Sequence, residues 1–270
     1  MKTLNTDVNT SSNLELFNFT QGLDVDQKIY RQEIQVQKAW ARALAKANIL
    51  SGKDSTALCK SLDQAQTLIE TNKFPWKLED EDIHMNLERY LTQELGELGK
   101  KIHLGRSRND LIATTLRLFV RDELDTTFTA TKELIAAIHK QSSGWLETLV
   151  PGMTHLQFGQ PIRFGHMISA HGFALKRDLQ CIQQSQSQCI SYLPLGAAAF
   201  GGTHLNIDLQ NLAKELHFDS ALYNSYDAVS DRDYIIQSLN TYATVALHIS
   251  RLCEDLMFWS SSALQVLQLP

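Results

Sequence analysis

AVSDRDYIIQSLNTYATVALHISRLCEDLMFWSSSALQVL, residues 228–267, is the stretch that decides the fold. It reads as one long helix. Ile235, Leu239, Tyr242, Ala246, Ile249, Cys253 and Leu256 are spaced alternately by four and three, which is a heptad seam. Val245, Leu252 and Trp259 form a second apolar row beside it. Two adjacent rows make a wide apolar face, so the helix is expected to touch more than one neighbour. It is either a core helix of a monomeric bundle or a helix buried between subunits, and the width of the face favours the second.

The same pattern extends outward. Helices are expected over about 109–149 and 161–192, the latter with Pro161 in its first turn, where a missing N–H costs nothing. At 1.5 Å rise per residue, each of these long helices would span on the order of 45–60 Å, which points to an elongated bundle. Towards the N-terminus, helices are expected over 29–50 (Ile34, Ala41, Leu44, Ala45), 54–71 (Leu58, Leu62, Ala65, Ile69) and from Asp82 (Ile83, Leu87, Leu91). A Gly-rich loop after Pro194 leads to a short helix over 209–216. Strand-like alternation is scarce, and the fold class is all-α.

Composition narrows the function. The 270 residues are 43% apolar and carry a net charge of −5 with no clustered basic face, which argues against disorder and against nucleic acid as a partner. No apolar stretch approaches ~18 residues, so no membrane partner is expected. Residues 1–13 are polar and lack the basic and apolar regions of an export signal, and 1–18 read as a flexible N-terminal tail. The cysteines Cys59, Cys181, Cys189 and Cys253 form no CxxC pair and are expected to be reduced and buried in a cytoplasmic protein. Nine scattered histidines, none spaced i,i+4, give no metal site. The sequence contains no GxGxxG, HExxH or GxSxG, and SGKDS lacks the upstream glycine of a phosphate loop. The glycosylation-type triplets at Asn9 and Asn18 would go unmodified in the cytoplasm.

Three segments carry chemistry. In His103-Leu-Gly-Arg-Ser-Arg-Asn-Asp110, Ser107 and Asp110 resemble a capping box, while Arg106, Arg108 and Asn109 supply donors suited to a carboxylate at a helix N-terminus. The alternative is a plain cap with solvated arginines. In Pro151-Gly-Met-Thr-His-Leu-Gln157, Thr154 and His155 sit in a tight loop, with His155 suited to proton transfer or serving a structural role. In Asn224–Asp233, a cluster of carboxylate and amide groups either holds a helix end or does chemistry.

These segments, in this order, resemble argininosuccinate lyase of the fumarase/aspartase superfamily over residues 19–270. Supporting blocks are Asp80–His84 with Glu88-Arg89, Pro194-Leu-Gly196, and Leu247–Leu256. The resemblance implies an N-terminal helical domain over 19–106 and a central long-helix bundle over 107–270. It implies a homotetramer with active sites shared between subunits. The implied reaction is β-elimination of the small-molecule substrate argininosuccinate to arginine and fumarate, a step of arginine biosynthesis, with no cofactor and no metal. His155 would be the catalytic, proton-handling residue. Asn109 and Thr154 would bind substrate, with Arg108 assisting the succinyl carboxylates and Ser107 counted among the binding residues.

The chain departs from the family pattern in its opening, where Gly22 stands in place of a substrate-binding serine. The serine-bearing Gly-Ser-Ser-x-Met-Pro-x-Lys-x-Asn loop is absent, and Ser260-Ser261-Ser262 lies in a helical pattern without that context. The expectation is a bundle truncated before its last helices and C-terminal domain. The alternative function is a catalytically silent fragment or assembly subunit.

Overall fold

A computed structural model describes Phe19 and residues 21–268. The tail over 1–18 and the triplets at Asn9 and Asn18 lie outside the described residues. In chain order the elements are α1 (Tyr30–Lys46), α2 (Gly52–Glu70), α3 (Ile83–Leu95), α4 (Arg108–Gly144), β1 (Leu149–Thr154), β2 (Gln157–Arg163), α5 (Phe164–Ile190), α6 (Leu209–Glu215), α7 (Ser225–Ser230) and α8 (Asp233–Ser260). One-turn helices at Leu23–Asp26 and Glu97–Lys100 and short 3-10 turns complete the set. The fold is mostly helical, as expected. Its contacts divide it into two units, one reaching Phe119 and including Ser191–Asp231, the other comprising Val120–Ile190 and the chain from Arg232. The division falls inside α4, beyond the 106/107 boundary read from the sequence.

In the first unit, α1 packs on α2 and α2 on α3. Ile34, Trp40 and Leu44, Leu58 and Leu62, and Leu87 and Leu91 are fully buried there. Each stabilises the unit by about 1.5–3 kcal/mol relative to exposure. The starts are set by side chains: Ser51 Oγ accepts the Asp54 N–H at 3.1 Å, and Asp82 Oδ1 accepts the Met85 N–H at 2.8 Å.

A polar cluster lies inside this apolar packing. Glu33 on α1 is 0% exposed. Gln37 Nε2 donates to its Oε1 at 2.6 Å and Thr115 Oγ1 of α4 donates to its Oε2 at 2.9 Å. His84 Nδ1 of α3 lies 3.0 Å from Glu33 Oε1. Arg106, also buried, donates through Nη2 to Gln37 Oε1. Burial alone would push the Glu33 carboxyl up, but His84, Arg106 and the Gln37 amide hold it below its ordinary value. Burial likewise opposes a charged His84, and Glu33 beside it nonetheless holds the imidazole above its ordinary value.

A second cluster corrects the reading of 228–267 as one helix. Arg117 of α4 pairs with Asp231, and its guanidinium lies 4.2 Å from the Tyr192 ring centre. Tyr192 Oη donates to Asp231 Oδ2 at 2.9 Å. Burial pushes the Tyr192 phenol well above its ordinary value, so it remains a donor. Held this way, Asp231 is extended, with ψ 130°, and the chain breaks there into α7 and α8. Asn224 Oδ1 caps α7 through the Tyr226 and Asp227 N–H groups. The Asn224–Asp233 segment therefore holds helix ends. The far end also stops early, at Ser260, because Ser261 turns extended.

In the second unit, α5 packs on α8. The buried residues of α8 are Tyr234, Ser238, Thr241, Val245, Leu252 and Trp259, so the second apolar row is the one used within the chain. Leu239, Ala246, Ile249 and Cys253 of the seam are exposed. Cys253 thereby departs from the expectation of four buried cysteines; all four are free, and only Cys189 is fully buried.

Pro161 does not start a helix. It lies in β2 opposite Pro151 of β1, within an antiparallel hairpin bulged between Pro151 and Met153, and α5 begins at Phe164. A two-stranded sheet has free edges, where a residue without an N–H is tolerated. The hairpin closes through His155 and Leu156, at φ +54° and +59°. Such a two-residue turn favours glycine or asparagine at both positions.

Leu156 is 75% exposed and has little packing to lose. Leu156→Gly should therefore raise unfolding stability by about 1 kcal/mol through relief of the left-handed backbone, measured by urea titration. An equal or lower midpoint would show that the turn is not strained. The His84 contribution is complete below pH 6.5 and is lost as pH rises through its raised value. The Glu33 contribution is complete above pH 4.5 and is lost as pH falls through its lowered value. The first unit should thus resist urea best between pH 4.5 and 6.5 and weaken on the alkaline side. His84→Gln should flatten that alkaline limb; an unchanged limb would assign the loss to another group.

Candidate active site

The start of α4 is built from inside outward. Gly105 has φ +73°, and a Cβ there would press on the Leu205 side chain, so glycine is favoured where the chain turns into the helix. Arg106 then points into the buried cluster, which corrects its expected role as a solvent-facing donor. The next residues face outward. Asp110 Oδ1 accepts the Ser107 N–H at 2.9 Å, as the capping pattern requires, while Ser107 Oγ accepts the Asn109 N–H at 3.3 Å.

Arg108 Nε lies 3.3 Å from Asp82 Oδ2. Asn109 Nδ2 donates to the Ala199 carbonyl at 3.0 Å. Its own amide oxygen makes no hydrogen bond among the described residues. Ser107 and Arg108 line a cleft of about 630 Å³ together with Met85, Glu88, Lys100 and His103. Burial, reinforced by Arg106 and Arg108, holds His103 below its ordinary value and favours its neutral ring. The Ser107 hydroxyl and the Arg108 guanidinium on this rim suit a carboxylate-bearing ligand.

Thr154 and His155 belong to the second unit, at the hairpin tip. Both are exposed, and Thr154 pairs with Gln157 across the turn. Non-glycine residues held at positive φ concentrate where function requires them. The structure therefore groups Ser107, Arg108 and Asn109 on one helix start, and Thr154 with His155 on one turn.

Sequence reasoning missed several polar arrangements. The second oxygen of Asp110 accepts the N–H groups of Gly196 and Ala198 at 2.9 and 2.8 Å. In the second unit, His171 Nε2 lies 2.8 Å from Asp255 Oδ2, and His248 Nδ1 lies 2.7 Å from Asp178 Oδ2. These pairs join α5 to α8 beside a cleft of about 480 Å³. Their partners are distant in sequence, and no local motif marks them. Among the described residues no group of three or more His, Cys, Asp or Glu side chains could hold a metal ion. No helix among them is long and apolar enough to cross a membrane.

Comparison with known proteins bears on what this arrangement is for. Argininosuccinate lyase of Lawsonia intracellularis is 42% identical over 252 residues, covering 93% of this chain and 55% of that protein. The enzyme of the same name from Hydrogenovibrio crunogenus is 40% identical over 252 residues, covering 93% and 54%. Among solved structures, an EDDS lyase variant with bound fumarate superposes with a TM-score of 0.81 at 25% identity, covering 99% of this chain and 52% of that one. A fumarate lyase:delta crystallin from Brucella melitensis superposes at 0.76 and 19% identity, covering 96% and 59%, a likeness of fold. The chain spans about half the length of the curated relatives it matches. A family model described as lyase matches residues 11–270, and with that extent of agreement the chain belongs to this lyase family, within the fumarase/aspartase superfamily.

Proposed function

We propose that the chain acts as an argininosuccinate lyase, splitting argininosuccinate reversibly into arginine and fumarate by β-elimination. The observation that carries this reading is the 42% identity over 252 residues to an enzyme of that name. The structurally similar EDDS lyase variant binds fumarate, the same unsaturated product.

The substrate carries several carboxylates, which matches the donor set on α4. Ser107, Arg108 and Asn109 hold the carboxylate end, and Thr154 adds a hydroxyl. Elimination removes a proton from the carbon next to a carboxylate, and the resulting charge must meet preorganised donors. The C–N bond then breaks, and the guanidino group of arginine leaves as it takes up a proton. His155 is the proton-handling residue, presented on a turn whose backbone fixes its direction. The reaction needs neither cofactor nor metal.

In this reading the protein is cytoplasmic and assembles as a homotetramer with shared sites. The exposed row Leu239, Ala246, Ile249 and Cys253 of α8 supplies a contact between copies, the bundle domain is 107–270, and the N-terminal domain is 19–106. Burying an unpaired charge at Ile249 is costly, so Ile249→Asp should lower the sedimenting mass, and an unchanged mass would show that this row makes no contact between copies.

The deciding assay is fumarate release, followed by its absorbance, with argininosuccinate and adenylosuccinate supplied separately to the protein in its native assembly. Turnover of adenylosuccinate alone would falsify the assignment. His155→Asn should lower turnover by roughly 10²–10⁴-fold with an unchanged melting temperature. Full activity in that variant, or loss only through unfolding, would make the histidine structural.

A further inference from the structure

Asp110 is fully buried, yet it makes no contact with the cleft that Ser107 and Arg108 line. Its two oxygens serve different parts of the chain. Oδ1 takes the Ser107 N–H at the start of α4. Oδ2 takes the Gly196 and Ala198 N–H groups of the loop that follows Pro194. That loop is contorted: Gly196 has φ +106° and Ala198 has φ +53°. The carbonyl of its next residue, Ala199, receives the Asn109 side-chain N–H at 3.0 Å. One carboxylate thus closes a ring running from Ser107 to Asn109, through Ala199 to Ala198, and back to Asp110. Burial pushes the Asp110 carboxyl up, opposed by the same three N–H groups.

We propose that Asp110 is a positioning residue: it fixes the 196–199 loop against the start of α4, and thereby sets the direction in which Asn109 presents its amide to the substrate. The inference takes the identity of the ligand and its contact with Asn109 from the argininosuccinate lyase reading. Asn109 Nδ2 spends one of its two N–H groups on Ala199, which leaves the second N–H for a substrate carboxylate and the free amide oxygen for a donor on the substrate. A carboxylate is required at Asp110 because each of its oxygens is already engaged as an acceptor. The amide of asparagine keeps one acceptor oxygen, so it can hold the cap or the loop, not both.

The test combines Asp110→Asn, Asn109→Ala and the double variant, all in the native assembly. Amide hydrogen exchange should accelerate about tenfold or more in Asp110→Asn, either at Ser107 or at the Gly196 and Ala198 pair, with Leu62 and Leu87 unchanged. KM for argininosuccinate should rise about tenfold while kcat stays within about threefold. The double variant should be no worse than Asn109→Ala alone, because Asp110 acts through Asn109. Unchanged protection at all three amides overturns the proposal, and so does multiplication of the two KM effects. If Leu62 also loses protection, the unit has unfolded, and Gly196→Ala takes over the test from the loop side. Gly196 has φ +106°, a backbone conformation in which a side chain is strained, so the alanine strains the loop and KM should rise alike; an unchanged KM overturns the proposal. If the unaltered protein does not turn over argininosuccinate, the functional reading fails by itself, and exchange at Ser107, Gly196 and Ala198 still decides the latch.

Discussion

A carboxylate with no access to water sits in the helical core of the first unit, and the surrounding packing is arranged to satisfy it. Isolated, a buried ion of this kind costs several kcal/mol. Glu33 is instead met by a hydroxyl from α4, an imidazole from α3 and an amide from its own helix, and that amide is met in turn by Arg106. Each partner comes from a different place, so the cluster fixes how α1, α3 and the entry to α4 register against one another. An apolar core of Leu and Ile tolerates small slides between helices. A set of directional contacts to one carboxylate does not.

The outward-facing chemistry inherits its geometry from this inward-facing cluster. Arg106 and Ser107 are adjacent, one committed to the interior and the other to the rim of the cleft. The left-handed turn at Gly105 separates them from the preceding 3-10 segment. The donors that suit a carboxylate ligand therefore stand on a start of α4 anchored by its first neighbour below and by the loop after Pro194 beside it.

Some of this was legible in the sequence, and the boundary is a physical one. The N-terminal helices followed from spacing, since Leu58, Leu62 and Ala65 or Ile83, Leu87 and Leu91 all fall on buried faces. The Ser107–Asp110 cap was legible because it is a local pattern four residues long. Its second half was not, because Gly196 lies 86 residues away and contributes only a backbone N–H, which no side-chain motif encodes. Glu33 carries no motif of its own, because its burial depends on partners from three other stretches. The break at Asp231 escaped for the same reason: the apolar period runs on, while Arg117 and Tyr192 draw that residue out of the helix. Thr154 and His155 were singled out by residue type and by resemblance, but the hairpin that carries them was hidden by a proline that suits a helix start equally well.

The facing prolines of that hairpin have a consequence for association. A two-stranded sheet presents unpaired backbone along both sides, and Leu149, Leu156 and Phe158 add exposed apolar side chains to it. That combination ordinarily recruits a third strand from another molecule. Here each strand carries one proline, Pro151 in β1 and Pro161 in β2, and the bulge beside Pro151 bends the edge. A foreign strand laid along either side meets a position with no N–H to offer and loses register at the bend. The hairpin can thus display apolar side chains and a strained histidine turn without becoming a template for fibrous aggregation.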